Sequence, residues 1–239
     1  MKLTYLYNSG FAIEGERFMV LVDYYKDTDE AFVQQALASY SGRIYVLASH
    51  WHPDHFNRQV MQWKQQRADI RYVFSDDIRR KLRWMQFSGV VFLTKGKIWE
   101  DDMLHVQAFG STDVGSSFLI EAEGKRIFHA GDLNNWHWNE ESTPKEAQKA
   151  EHDFLNELAF LAETTTDLDL ALFPIDFRLG KDYMRGAEAF VERFRTKVFA
   201  PMHFGEQYDK AQAFEAYAQA AGCRFIGWKS RGETIEFGI

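Results

Sequence analysis

One cysteine, Cys223, stands in 239 residues. No disulfide can therefore form within the chain, and a reducing, cytoplasmic setting is the expected compartment. Prolines number only four, and no Pro/Ser-rich or low-complexity stretch divides the sequence. Residues 1–239 are accordingly expected to form a single domain. Internal repeats are absent. The opening residues 1–11 alternate like a strand and lack the apolar region of a signal peptide. No uninterrupted apolar run approaches the length of a membrane span, so no membrane partner is expected. Clustered positive charge is scarce: Arg79-Arg80-Lys81-Leu82-Arg83 is the one basic run, and on a helix it spreads into a solvated face. With a formal charge of −7, a nucleic-acid partner is not expected, because phosphate binding wants clustered Lys and Arg. Nothing in the sequence specifies an oligomeric state.

What is present is core and one dense polar cluster. Hydrophobic residues make up 46% of the chain and aromatics 16%, enough for a sizeable interior. Directly after the apolar run Ile44–Ala48, which reads as a buried strand, comes His50-Trp51-His52-Pro53-Asp54-His55. Three of the chain's eight histidines and a carboxylate thus share six positions at the mouth of a strand. α/β proteins usually build their sites there. Imidazole and carboxylate together suit Zn²⁺ or a similar divalent ion, and a loop leaving a rigid strand can fold several such groups around one centre.

Along the chain, Lys2–Tyr7, Phe11–Glu14 and Arg17–Asp23 read as a three-stranded meander with tight turns at Asn8-Ser9-Gly10 and Glu14-Gly15-Glu16. A helix is expected from Asp29 to about Ser39, with Phe32, Val33, Ala36 and Leu37 on one face. Val60–Arg67 reads as helix and Ile70–Phe74 as strand, and Ser75-Asp76 caps a helix to about Met85. The middle, Val90 to Ala130, alternates as short strands, with a hairpin turn at Glu123-Gly124. An aromatic loop, Gly131–Thr143, precedes a long helix from Pro144 to about Ala162. Strand Leu168–Phe173, helix Gly186–Phe194, strand Val198–Ala200, helix Asp209–Ala221 and strands Arg224–Ile226 and Thr234–Phe237 complete the order. Two β-rich halves, each followed by helix–strand alternation, predict an α/β (α+β) protein with two sheets packed face to face and helices outside.

Two further candidate ligands follow strands in the same manner: Asp132 in Ala130-Gly131-Asp132, and His203 in Pro201-Met202-His203-Phe204-Gly205. H-x-H-x-D-H, then Gly-Asp, then a late His resembles the metallo-β-lactamase superfamily of hydrolases across nearly the whole chain. The resemblance implies a four-layer αβ/βα sandwich with two metals at the sheet edges. Carried over position by position, it implies His50 and His52 on the first metal, Asp54, His55 and His203 on the second, and Asp132 bridging. Pro174-Ile175, Tyr183-Met184, Ala187 and the Pro201–Gly205 segment, with Asn8-Ser9-Gly10-Phe11, are similar to the ascorbate-6-phosphate lactonase-like branch. There the segment like Gly180–Met184 lies beside the metals, so the resemblance implies Arg178 and Tyr183 as substrate contacts.

One departure stands out. The superfamily's third histidine for the first metal falls in Gly110–Ser116, where this chain has none. Thr112 occupies the usual position and Asp113 is its neighbour. Asp113 is the expected substitute ligand, and its hard oxygen would favour Mn²⁺ or Fe over Zn²⁺ at that site; the alternative is a vacant first site and a single metal. The expected cofactor is therefore one or two divalent ions, zinc first, with manganese or iron as alternatives. Trp136, His137 and Trp138, in the aromatic loop just past Asp132, are expected to wall a substrate pocket, whereas His129 reads as core and Cys223 as buried and inert. The expected function is hydrolysis of a small-molecule ester, lactone or phosphodiester, in that order, with Asp54 as general base or acid. Two rivals are an iron-binding redox member and a degenerate, non-catalytic binder of metal or metabolite.

Overall fold

Period-two alternation divides each strand of the first sheet between two apolar layers. Phe11 and Ile13, Val20 and Val22, and Tyr45 and Leu47 enter one cluster; Ala12, Met19, Leu21, Ile44 and Val46 enter the other. Because both faces are buried, these strands read as continuous apolar runs. The computed structural model, which describes residues 1–238, builds this sheet from six strands in sequence order. They are β1 (Lys2–Tyr7), β2 (Gly10–Glu14), β3 (Phe18–Val22), β4 (Arg43–Ala48), β5 (Arg71–Ser75) and β6 (Val90–Leu93). The second sheet comprises β7 (Ile98–Glu100), β8 (His105–Phe109), β9 (Ser117–Ala122), β10 (Lys125–His129), β11 (Asp167–Pro174), β12 (Arg195–Met202) and β13 (Arg224–Phe225). A last strand, β14 (Thr234–Glu236), returns to the first sheet and pairs with β1, Lys2 opposite Glu236.

Helices cover the outer faces. Val33 and Leu37 of α1 (Phe32–Ser39), Val60 and Trp63 of a 3₁₀ segment (Arg58–Gln65) and Ile78 of α2 (Asp76–Lys81) share a cluster with the first sheet's outer residues. Behind the second sheet lie α3 (Pro144–Ala162), α4 (Arg185–Arg193), α5 (Tyr208–Gln212) and α6 (Glu215–Ala220). Phe128 of β10 and Phe173 of β11 meet Phe190 of α4 at ring-centroid distances of 5.6 and 4.5 Å. Each fully buried Phe of this kind contributes about 1.5–3 kcal/mol by burial. The layers therefore run helix, sheet, sheet, helix, the αβ/βα sandwich expected from the sequence.

Local chemistry sets the element ends. Thr143 and Glu146 form a reciprocal capping box, with Pro144 at the first helical position of α3. Four helices differ from expectation. The first, α1, begins at Phe32 and not at Asp29, because Ala31 takes left-handed backbone at φ 55°. Residues 58–65 wind as 3₁₀ rather than α. The helix after β5 stops at Lys81 instead of near Met85, as Leu82 leaves helical geometry. Ser75 does not cap it with its side chain; its hydroxyl meets Ser116 Oγ at 3.0 Å. The stretch expected as one helix over Asp209–Ala221 is two short ones, α5 and α6.

Each sheet begins antiparallel and turns parallel: β3 to β6 run parallel, and so do β10 to β13. This puts the ends of β3, β4, β10, β11 and β12 along one edge of the sandwich. The chain segments leaving those ends carry Asp23, His50, Asp132, Asp176 and His203. Among the described residues, no helix is long and apolar enough to cross a membrane.

Candidate metal centre

Close backbone packing fixes the end of β4. Gly115 has φ +78°, and a Cβ there would lie 2.2 Å from the Ser49 carbonyl oxygen and 2.4 Å from His50 Cβ. Gly131, at φ +54°, is hemmed in by Ser49 and Ser116. Only glycine fits either place. The loops after β8 and β10 thereby press against His50, which is fully buried. Left-handed backbone at non-glycine residues is uncommon, and several of its instances fall here: Asn8, Asp23, Trp138 and His203 have φ between 43° and 60°. Such conformations persist where surrounding structure holds them, as at functional sites.

Seven side chains converge. On one side of Asp132, its Oδ2 lies 3.2 Å from His50 Nε2 and 4.0 Å from His52 Nδ1. Asp113 Oδ2 is 3.7 Å from the same His52 nitrogen. On the other side, Asp132 Oδ1 lies 3.1 Å from His55 Nε2 and 3.4 Å from His203 Nε2. Asp54 Oδ2 stands 3.5 Å from His55 Nε2 and 3.8 Å from His203 Nε2. Three overlapping groups of candidate ligands result: His50, His55 and Asp132; Asp54, His55 and His203; and His52, Asp113 and Asp132.

The groups behind these side chains are ones sequence reasoning missed. Asp23, wholly buried, meets His55 Nδ1 at 2.7 Å and accepts from the Ser49 hydroxyl at 2.6 Å and the Ser49 amide at 2.7 Å. Asp176 meets His203 Nδ1 at 3.0 Å. Ser49 Oγ lies 2.9 Å from His50 Nδ1. A hydroxyl has one proton, and the Ser49 proton goes to Asp23, so His50 Nδ1–H is the donor in that last contact. The donor count thus assigns His50 its Nδ1 proton and turns the Nε2 lone pair inward, and carboxylates do the same for His55 and His203. Asn8 Nδ2 donates to Asp54 Oδ2 at 3.0 Å.

Inward lone pairs facing carboxylate oxygens repel unless a cation lies between them. His55 Nε2 and Asp132 Oδ1 are both buried without a hydrogen-bond partner, and unpaired buried polar atoms are costly. The donor set therefore fits a divalent cation. The titration of the bare side chains carries the same imprint. Burial would raise the Asp132 carboxyl, but His55 and His203 hold it well below its ordinary value. Burial would lower His55, yet Asp132 and Asp23 push it well above. Against burial, the His55 hydrogen bond keeps Asp54 depressed, and His203 and Arg178 hold Asp176 at about 2.

A cavity of about 340 Å³ opens over this centre, with Asp54, Asp113, Trp136, Trp138 and Arg178 in its lining. Two residues expected there are elsewhere. His137 is buried, with Nε2 3.1 Å from the Asp182 carbonyl and Nδ1 accepting from the Asn139 amide, so it braces the loop. Tyr183 packs its ring on the core and donates its hydroxyl to the Lys210 carbonyl at 3.0 Å. Both polar ends are taken by backbone, which turns the side chains from the cavity. Trp136 and Trp138 line the cavity, as expected, while His137 between them does not. Thr112 exchanges hydrogen bonds with Asn134, donating to its carbonyl at 2.5 Å and accepting from its amide at 3.0 Å. That leaves Asp113 to face His52. His129 is core, bonded to the Ser9 carbonyl at 2.9 Å, and Cys223 is buried away from the centre.

Known proteins share this fold. The chain is 26% identical over 255 residues to a UPF0173 metal-dependent hydrolase of Pelotomaculum thermopropionicum, covering 99% of this chain and 100% of that one. Igni18, a metallo hydrolase from the archaeon Ignicoccus hospitalis, shares the fold at a TM-score of 0.67 and 20% identity, with 99% of each chain covered. So does a diiron β-hydroxylase from Streptomyces venezuelae, at a TM-score of 0.67 and 13% identity, over 98% of this chain and 53% of that one. Residues 2–155, well over half the chain, match the model of the Beta-lactamase superfamily domain. With its two-sheet sandwich and histidine-rich edge, this chain belongs to the metallo-β-lactamase superfamily.

Proposed function

We propose that the protein is a metal-dependent hydrolase acting on a small ester, lactone or phosphodiester, in that order of preference. The observation that carries this reading is the overlap of three candidate ligand groups around His55 and Asp132, with two unpartnered buried atoms, His55 Nε2 and Asp132 Oδ1, facing each other at 3.1 Å. His50, His52, Asp113 and Asp132 would hold one ion; Asp54, His55, His203 and Asp132 would hold the other. A divalent ion in such a site polarises a carbonyl or phosphoryl oxygen and makes hydroxide available near neutral pH.

The chain's own residues supply the rest. Asp54 is depressed in pKa, hence ionised, and its side chain is 41% exposed toward the cavity. It takes the proton of the attacking water and returns it to the leaving group. Asn8 fixes one Asp54 oxygen and so the direction of the other. Trp136, held by its Nε1–H to the Asp132 carbonyl at 2.9 Å, forms an apolar wall that orients substrate and limits water. The similarity to a UPF0173 metal-dependent hydrolase over its full length supports the reaction class.

The test is metal content by elemental analysis on untagged protein, paired with turnover of a 4-nitrophenyl ester, a γ-lactone and bis(4-nitrophenyl) phosphate. Hydrolysis that scales with bound metal and vanishes in Asp132→Ala is expected. Turnover indifferent to metal would overturn the reading. One observation favours a second reading: both donor sets hold as many carboxylates as imidazoles. Oxygen-rich sites suit iron or manganese, so iron-dependent redox chemistry is the alternative. O₂ consumption by iron-loaded protein without ester hydrolysis would establish it.

A further inference from the structure

The cavity over the metal centre is lined by carboxylates, histidines, Thr112, two tryptophans and one permanently cationic side chain, Arg178. Resting on the hydrolase reading, we infer that Arg178 is the anion-recognition residue of this site, and that the substrate is a small carboxylate- or phosphate-bearing molecule whose planar or apolar body lies on Trp136 and Trp138.

Arg178 is held yet incompletely used. Its Nε donates to Asp176 at 2.9 and 3.0 Å, and Nη2 donates to the same carboxylate. Among the described residues, Nη1 has no partner, and the side chain is 57% exposed. A guanidinium gripped along one edge presents its other edge as a rigid fork, the geometry that matches carboxylate or phosphate oxygens. Asp176 has neutralised its charge, so what remains on offer is oriented donors.

Position supports the same conclusion. A second, smaller cavity of about 150 Å³ lies on the other side of Asp54 and His203, with Asn8 and Phe177 in its wall, and Arg178 borders it too. Arg178 therefore stands where the two cavities meet, beside the residues proposed to act on the scissile bond. Trp136 and Trp138 line the same cavity, their rings near parallel at 6.2 Å and 15°, and offer aromatic surface to a planar or apolar group. Volumes of 340 and 150 Å³ are at the small end for ligand sites, which limits the substrate to a small molecule. Three carboxylates, Asp54, Asp113 and Asp132, face two divalent ions in the loaded site, leaving it able to accept an anion.

The experiment uses metal-loaded protein and three probes of one shape: 4-nitrobenzoate, 4-nitrophenylphosphonate and 4-nitrobenzamide. Binding is read by calorimetry and by quenching of tryptophan fluorescence. The wild type should bind one or both anions at least about tenfold more tightly than the amide, and the tighter of the two identifies carboxylate or phosphate. Arg178→Gln should bring that preference to within about twofold while metal content is retained, and Arg178→Lys should restore part of it for the phosphonate. If Arg178→Gln keeps the full preference, the metals alone select the anion and the inference is wrong. If it weakens all three probes alike together with metal content, Arg178 serves only to hold Asp176 and His203, and the inference is again wrong. An Arg178-dependent preference in a protein that turns over no ester, lactone or phosphodiester would sustain the anion site and remove the hydrolase reading.

Discussion

The two proposed donor sets, which share Asp132, are built to different standards. In the Asp54–His55–His203 set, both imidazoles are backed by buried carboxylates, Asp23 behind His55 and Asp176 behind His203. In the His50–His52–Asp113 set, His50 is backed by the Ser49 hydroxyl. Among the described residues no buried carboxylate stands behind His52, whose side chain is 31% exposed, and Asp113 is 46% exposed on the loop between β8 and β9. Carboxylates behind ligating histidines fix ring orientation and raise basicity. The second set is therefore held in place by buried partners, whereas the first rests on two partly exposed side chains. The difference predicts sequential loading, with the second set filling at lower metal concentration. Calorimetric or competition titrations that fit two identical sites would break the comparison.

Removing the shared residue should have the largest effect. Asp132→Ala is expected to empty both sets and to lower metal-dependent turnover by more than about 100-fold. Normal metal stoichiometry in this variant would remove the bridging assignment. Next comes the support of the stronger set. Asp23→Asn keeps an acceptor for His55 but loses its charge, so the tighter metal affinity should fall about tenfold. Asp23→Ala should approach the upper end of a 10–100-fold loss and also cost about 3–5 kcal/mol of stability by stranding a buried partner. Metal titration beside thermal unfolding separates the two effects, and an unchanged affinity in both variants would mean the buttress is inert.

Asp113 sharpens the comparison from the weaker side. Asp113→Ala should remove one ion of two, leaving the second set loaded. Asp113→His should shift the first set toward Zn²⁺, since a neutral imidazole replaces a charged hard oxygen. Anomalous diffraction above and below the metal edges reads this directly. A single wild-type peak at Asp54, His55, Asp132 and His203, with Asp113 turned away, would end the two-ion reading. Smaller still is Trp136→Ala, expected to raise KM several-fold with little change in unfolding temperature; unfolding with KM intact would make the ring structural. Cys223→Ser, far from both sets, should change neither metal content nor turnover.

Much of this was legible in the chain. Alternation and turn residues gave the strand order. His50, His52, Asp54 and His55 announce themselves by crowding, and Asp132 and His203 by following strands. Asp23 and Asp176 did not, because each ends an apolar run as a strand-terminal polar residue commonly does. Their meaning depends on which histidine faces them from another strand. His137 and Tyr183 were misassigned for a related reason: closeness to a ligand in sequence says nothing about whether backbone carbonyls such as those of Asp182 and Lys210 will capture the side chain.

What the sequence determined by itself is what short-range physics encodes: periodicity, the Thr143 capping box, the glycines at 115 and 131, and a concentration of metal-binding donors on one loop. Only the tertiary structure decided that one Asp132 oxygen faces His50 while the other faces His55 and His203, and that Asp113 faces His52. It also decided that Arg178 keeps a free edge over the cavity. Those outcomes depend on distances of 3–4 Å between residues far apart in the chain, and such distances are set by how two sheets pack, which no local pattern specifies.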